Sequence, residues 1–91
     1  MLTVDTVLRD RYGLHPRAAM RIQQTAAAFR SKVTLQGLDS ATAPISAVTM
    51  IGLVSAGIRA GERVRLTADG EDEAEALAAL RALLEAGICH P

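Results

Sequence analysis

The chain has 91 residues; 49% are hydrophobic and 2% aromatic, and its ten basic and ten acidic side chains cancel. This length fits one small domain, which we expect over residues 1–88, followed by a short tail at 89–91. The shortage of aromatic rings argues against single-stranded nucleic-acid binding, and zero net charge offers no overall field for nucleic acid or an acidic membrane surface.

The single cysteine, Cys89, excludes an internal disulfide and offers no metal-binding spacing. Residues 2–8 alternate in polarity and contain Asp5, which is unlike a signal peptide. No apolar run approaches the roughly 18 residues of a membrane span. We therefore expect a cytoplasmic monomer with no cofactor, no metal and no membrane insertion.

The first predicted element is a strand over residues 2–8, because its apolar residues recur with period two. Its more apolar face carries Leu2, Val4, Thr6 and Leu8. Residues 9–13 then form a polar loop ending in glycine, after which the pattern changes to helical spacing.

A helix is predicted to begin at Pro16. Proline suits the first helical position, and it disfavours the α conformation of the preceding residue, so His15 is expected at the N-cap. The helix should end near Phe29. Its apolar stripe comprises Ala18, Ala19, Ile22, Ala26 and Phe29.

The middle of the chain is predicted as a second strand, a turn, an edge strand and a short helix. The second strand covers residues 31–36, and the edge strand covers 41–45, where Pro44 disfavours a central position. Residues 49–56 are predicted as a helix capped by Thr49, with Ser46 as the less favoured cap. A buried strand is the alternative for this last segment, since it is short and apolar.

The last two elements have clear patterns. A fourth strand over residues 62–68 alternates apolar positions with arginine and threonine. After Asp69-Gly70, acids in the first turn suit the dipole of a final helix, which Gly87 should end. The predicted buried stripe of this helix is Ala74, Leu77, Leu80 and Leu84.

The element order is therefore βαββαβα. Strands with one wet face indicate an α+β fold, in which a four-stranded sheet is covered on one face by helices.

The segment with the most chemical promise lies where the first helix begins. Helix N-termini leave N–H groups unpaired and favour anions, and Arg17 adds a donor fork suited to phosphate oxygens. A histidine has an unperturbed pKa of about 6.5, and nearby positive charge keeps its ring neutral. His15 thus has the features of a phosphoryl acceptor, although many histidines at such positions are ordinary loop residues. No catalytic triad or metal cluster accompanies it.

Charge is divided unevenly along the chain. Residues 1–32 hold six basic and two acidic side chains, a net charge of +4, whereas residues 33–91 hold four arginines and eight acids, a net charge of −4. The positive half contains His15. This division suits an anionic group or an acidic partner at that site.

Three separated motifs resemble one family, the histidine-containing phosphocarriers (HPr) of the phosphoenolpyruvate:sugar phosphotransferase system. Gly13-Leu14-His15-x-Arg17-Ala18-Ala19 is similar to the family's active-site signature. The segment from Thr49 to Gly57, followed by Ile58-x-x-Gly61, resembles its second-helix motif, and Ala68-Asp69-Gly70-x-Asp72-Glu73 resembles its entry to the last helix. The resemblance implies an open-faced β-sandwich with three helices on one face of an antiparallel sheet.

The resemblance also implies a function. Enzyme I, charged by phosphoenolpyruvate, would transfer its phosphoryl group to Nδ1 of His15, and the protein would pass it to an enzyme II A domain. Arg17 would neutralise phosphate oxygens. Such a protein is a phosphoryl carrier more than a true enzyme. The partner-binding positions implied are Met20, Arg21, Gln24, Thr49, Met50, Ile51 and Val54.

Two departures from the family pattern bear on this hypothesis. Members usually read His-Ala-Arg-Pro, whereas this chain reads His15-Pro16-Arg17-Ala18, so one backbone donor is absent at residue 16. Three residues before Gly52, where many relatives carry a phosphorylated regulatory serine, this chain has Thr49; Ser46 lies six residues before it.

Two alternatives to the carrier remain. One is a regulatory relative that docks on a kinase or transcription factor, and the other is an unrelated small ligand-binding domain.

Overall fold

A computed structural model of the chain describes residues 1–9, 13–14, 16–39, 43–55 and 57–86, with the side chains of Met50 and Ile51 outside that description. The predicted element order is confirmed. The elements are β1 (Leu2–Val7), α1 (Pro16–Ala27), β2 (Lys32–Gly37), β3 (Ile45–Ser46), α2 (Met50–Ser55), β4 (Arg63–Asp69) and α3 (Glu73–Ala86).

The four strands form one antiparallel sheet in the order β1-β4-β2-β3. The predicted alternation is clear in β4, where Val64 and Leu66 are buried while Arg63 and Arg65 are exposed. On the exposed face, Arg65 reaches across to Asp5 on β1 with nitrogen–oxygen distances of 2.8 and 3.2 Å. The sheet therefore separates a polar, ion-paired face from an apolar face.

The helices cover the apolar face and close a core of aliphatic side chains. Helix α3 packs on β1, β4 and β2, and α1 packs on α2 and α3. The largest fully buried side chains are Leu8, Ile22, Leu35, Leu53, Leu66, Leu80, Leu84 and Val64. This is the α+β open-faced sandwich that the motifs implied. Within the described residues, no helix combines the length and hydropathy needed to cross a membrane.

Strand β3 lies later in the chain than predicted. The expected edge strand at residues 41–45 was wrong, because β3 starts at Ile45 and its register pairs Leu35 with Ile45 and Thr34 with Ser46. Pro44 has no N–H to donate to a ladder, so pairing starts only after it. Residues 41 and 42 of the predicted strand lie outside the described residues. The edge position of this strand is confirmed.

The buried stripe of α3 also differs from the prediction at one position. Ala74 is exposed, and Ala76 is fully buried in its place. At 100° per residue, Ala74 lies about 120° around the helix from the central Leu80, whereas Ala76 lies about 40° from it.

Helix α1 ends at Ala27, slightly before the predicted Phe29. Two hydrogen bonds between residues i and i−3 close its last turn: the Ala28 N–H donates to the Thr25 carbonyl, and the Phe29 N–H donates to the Ala26 carbonyl.

Asp72 connects the start of α3 to the segment between α1 and β2. Its carbonyl accepts the N–H of Ala76 at 2.9 Å, while its carboxylate accepts the N–H groups of Arg30 and Ser31, both at 2.9 Å, and the Ser31 hydroxyl. The Ser31 hydroxyl, followed by the Arg30 N–H, holds the pKa of Asp72 below its ordinary value of 3.8. Asp72, one member of the acidic run at this helix start, thus has a structural role.

We expect Asp72→Ala to lower the thermal unfolding midpoint clearly, since the substitution leaves two backbone N–H groups and a hydroxyl without their acceptor. Glu71→Ala is the matched control, because Glu71 is 82% exposed and its ion pair with the exposed Arg30, at 3.5 Å, is a surface pair that contributes little. Because the pKa of Asp72 is lower in the folded protein than in the unfolded chain, ionised Asp72 stabilises the fold at pH values above the unfolded pKa. The difference between wild type and Asp72→Ala should therefore be full near neutral pH and shrink as pH falls below about 3.8. Equal midpoints for the two variants would contradict this role.

Candidate functional site

The chain approaches the first helix through a tightly packed pair, Gly13 and Leu14. Gly13 has φ +72°, and a Cβ atom there would lie 2.8 Å from the carbonyl oxygen of Ile58 and 3.2 Å from the nitrogen of Ala60. Leu14 is buried, and its N–H donates to the same Ile58 oxygen at 3.0 Å. The loop after α2 therefore lies directly against the two residues that precede His15 in the chain.

His15 itself lies outside the described residues, so its predicted N-cap position stays a prediction. Its neighbour Pro16 is the first residue of α1, as expected from its missing N–H. Helix α1 has 12 residues. The unpaired N–H groups of its first turn and its dipole favour an anion at its N-terminus.

The predicted functional residues of α1 share one exposed stripe. The spacing of Arg17, Met20, Arg21 and Gln24 is i, i+3, i+4 and i+7, which places them on one face. All four are exposed, and Met20 is 42% exposed. The opposite face is buried through Ala18, Ala19, Ile22 and Ala26. Folding thus presents the two cations and the methionine to solvent from the end of the helix nearest His15.

On α2, the structure positions Thr49 and Val54. The Thr49 carbonyl accepts the N–H of Leu53 at 3.0 Å, so Thr49 occupies the predicted cap position. Leu53 is fully buried and Val54 is 38% exposed. A Cβ on Gly52 would come within 2.9 Å of Ile45 Cγ2, so glycine permits α2 to lie close to β3. The side chains of Met50 and Ile51, also predicted to bind partners, lie outside the described residues.

Charged groups elsewhere in the described residues are mostly paired. Arg63 binds Asp39 at 2.8 Å, Arg65 binds Asp5 at 2.8 Å, and Arg81 binds Glu85 at 2.9 Å. By contrast, within the described part of the chain, Arg17 and Arg21 form no ion pair. Positive charge near the predicted acceptor is therefore not neutralised by these acids.

Sequence reasoning did not single out Arg59, which the fold brings to Gly13. A Cβ on Gly13 would lie 3.3 Å from the Cα of Arg59. Arg59 occupies one of the unspecified positions of the Ile58-x-x-Gly61 motif, so the pattern carried no signal for its residue type.

A groove of about 350 Å³ lies at the other end of α1. It is lined by the last residues of α1, by β2 and β3, and by neighbouring loop residues that include Phe29 and Val48. None of the predicted functional residues lines it, so it is separate from the candidate site.

Comparison with known proteins agrees with this arrangement. The family model described as the PTS HPr component phosphorylation site matches residues 2–86. Phosphocarrier protein HPr of Mycoplasma genitalium is 36% identical over 85 residues, which cover 93% of this chain and 94% of that protein. The structure of HPr-C-His from Thermoanaerobacter tengcongensis superposes with a TM-score of 0.89 at 32% identity, covering 100% of this chain and 99% of that one.

Longer proteins also match. A multiphosphoryl transfer protein of Salmonella typhimurium is 33% identical over 88 residues, which cover 97% of this chain. The chain spans only 23% of the length of that relative.

We expect Gly13→Ala to destabilise the protein more than Gly61→Ala. Both glycines have positive φ, +72° and +80°, so alanine at either position costs about 1–2 kcal/mol of conformational strain. Only at Gly13 would the added methyl meet the backbone of Ile58 and Ala60, whereas nothing lies within 4 Å at Gly61. Urea unfolding of both variants measures the difference. If both variants lose the same free energy of unfolding, the close approach of the Ile58 and Ala60 backbone to Gly13 does not contribute to stability.

Proposed function

Because the chain belongs to the HPr family of the phosphoenolpyruvate:sugar phosphotransferase system, we propose that it is a phosphocarrier that accepts a phosphoryl group on His15. Phospho-enzyme I would be the donor and an enzyme II A domain the acceptor. The observation that carries this proposal is the start of α1 at Pro16, which places an exposed Arg17 and the unpaired N–H groups of the first turn beside His15 in the chain.

The proposed step is a direct transfer between two histidines. The neutral Nδ1 of His15 attacks the phosphorus atom, and the bond from phosphorus to the enzyme I histidine nitrogen breaks as the new nitrogen–phosphorus bond forms. The anionic phosphoryl oxygens are then neutralised by Arg17 and by the positive end of α1. Transfer to the enzyme II A domain is the same exchange onto that domain's histidine, so no net oxidation or hydrolysis occurs.

Partner docking is proposed on the surface formed by α1 and α2. The exposed stripe of Arg17, Met20, Arg21 and Gln24, together with Val54, supports this, because flexible methionine and aliphatic groups suit a surface that must fit more than one partner. We also propose that the protein acts in the cytoplasm as a monomer.

The carrier is favoured over a regulatory module by the cations at the start of α1. A protein that acted by docking alone would not need Arg17 exposed beside the histidine. The position of the family's regulatory serine holds Thr49, the N-cap residue of α2, whose carbonyl accepts the N–H of Leu53.

We expect incubation with phosphoenolpyruvate and enzyme I to add one phosphate that is acid-labile and base-stable. His15→Ala should abolish this mass gain, while His90→Ala, which removes the other histidine of the chain, should keep it. Intact-protein mass spectrometry provides the measurement. No gain in wild type, or an equal gain in His15→Ala, would exclude the proposed carrier.

We expect Pro16→Ala to lengthen the lifetime of the phosphohistidine, since alanine restores one N–H donor at the first helical position. A hydrogen bond to a charged group typically contributes about 1.5–3 kcal/mol, so the hydrolysis rate should fall by about tenfold or more if the donor reaches the phosphate. Loss of phosphate from the purified phosphoprotein is followed with time. Circular dichroism of both proteins checks that α1 is retained. An unchanged lifetime would mean that the missing donor at Pro16 has no effect.

A further inference from the structure

The loop between α2 and β4 places a charged residue beside Gly13, two residues before His15 in the chain. Arg59 lies in this loop, and its Cα would be 3.3 Å from a Cβ atom placed on Gly13. The preceding residue, Ile58, accepts the N–H of Leu14, which is adjacent to His15 in the chain. The backbone of Arg59 is thus fixed against the segment that leads into the acceptor.

The buried Glu62 fixes this backbone from the other side. Its side-chain Oε1 accepts the N–H of Arg59 at 3.1 Å, and its own N–H donates to the Arg59 carbonyl at 3.1 Å. Glu62 is only 5% exposed, and its carbonyl also accepts the N–H of Leu8 at 3.0 Å. The acid nearest to Arg59 in the chain therefore holds the main chain of Arg59.

Among the described residues, no acid pairs with the guanidinium of Arg59. Its side chain is exposed, and within the described residues it forms no ion pair, unlike Arg63, Arg65 and Arg81. An arginine offers a planar donor fork that matches phosphate oxygens, and its long side chain can reach beyond the loop that carries it. A phosphoryl group on His15, two residues after Gly13 in the chain, would be a suitable counterion for this arginine.

We propose that Arg59 is a second cation of the phosphoryl site, acting together with Arg17 on the group carried by His15. This inference rests on the proposed phosphocarrier function. Arg17 lies on the helix side of His15 in the chain, and Arg59 comes from the loop that packs behind Gly13. The two would neutralise a doubly charged phosphoryl group from different elements, which offsets the donor lost at Pro16.

The first test needs no phosphotransfer. NMR titration of the His15 ring in unphosphorylated protein reports nearby charge, because a cation disfavours the imidazolium form. Replacing Arg59 by glutamine should raise the midpoint of that titration by a few tenths of a pH unit at low salt. R59K, which keeps the charge, should match wild type. The spectrum of His15→Ala assigns the resonance, since the chain has two histidines.

R30Q is the charge-matched control. Arg30 is exposed and follows the C-terminal end of α1, about 18 Å along the helix axis from Pro16 at 1.5 Å per residue. R30Q should leave the His15 midpoint unchanged. If R59Q and R30Q give the same midpoint, Arg59 is not near His15 and the inference is overturned.

The second test measures transfer from phospho-enzyme I. R59Q should lower the second-order rate constant about threefold at low salt, with a smaller loss at high salt, while R59K and R30Q stay close to wild type. If R59Q shifts the His15 titration midpoint but enzyme I does not phosphorylate the wild type, the carrier function is rejected and Arg59 still lies near His15. If the wild type is phosphorylated normally and R59Q shows neither a midpoint shift nor a slower transfer, the carrier function stands and the role proposed for Arg59 is rejected.

Discussion

The contact between Gly13-Leu14 and the loop at residues 58–60 is the constraint on which the candidate site depends. It joins the connection between β1 and α1 to the segment that follows α2, two parts of the chain more than 40 residues apart. Glycine at residue 13 is needed because both its φ of +72° and the nearby Ile58 oxygen exclude a side chain. The Leu14 N–H donates to the same oxygen, two residues before α1 begins at Pro16. This contact places the loop that carries Arg59 against the residues that lead into α1, the helix that carries Arg17.

Most of the architecture could be predicted from the sequence because its patterns are local. Period-two alternation located β1, β2 and β4, and the proline at residue 16 located the start of α1. Strand β3 was misplaced, since its two residues are selected by their pairing with Thr34 and Leu35 after Pro44, and a two-residue strand has too few positions to show alternation. The exchange of Ala74 for Ala76 has another origin: residue type does not separate two alanines, although their angular positions relative to Leu80 do.

The candidate site was only partly predictable, for a related reason. His15, Arg17 and the exposed stripe of α1 lie close together in sequence, so a motif and a helical repeat are enough to find them. Arg59 reaches the same region through tertiary packing alone, and its neighbours in sequence give no reason to prefer it over Arg63 or Arg65. What distinguishes it is that the acids at Asp39 and Asp5 bind those two arginines, whereas Glu62 binds the main chain of Arg59.

The pairing of β1 with β4 also has a consequence for how the chain folds. Leu2 lies opposite Ala68 and Val7 opposite Arg63, so this ladder joins residues separated by more than 50 positions. Such contacts close a large loop before they stabilise anything, which slows folding relative to a helical bundle of the same size. During synthesis, β1 must wait until β4 has emerged from the ribosome. The β2–β4 pairing, which closes a smaller loop, can form first and serve as the template on which β1 completes the sheet.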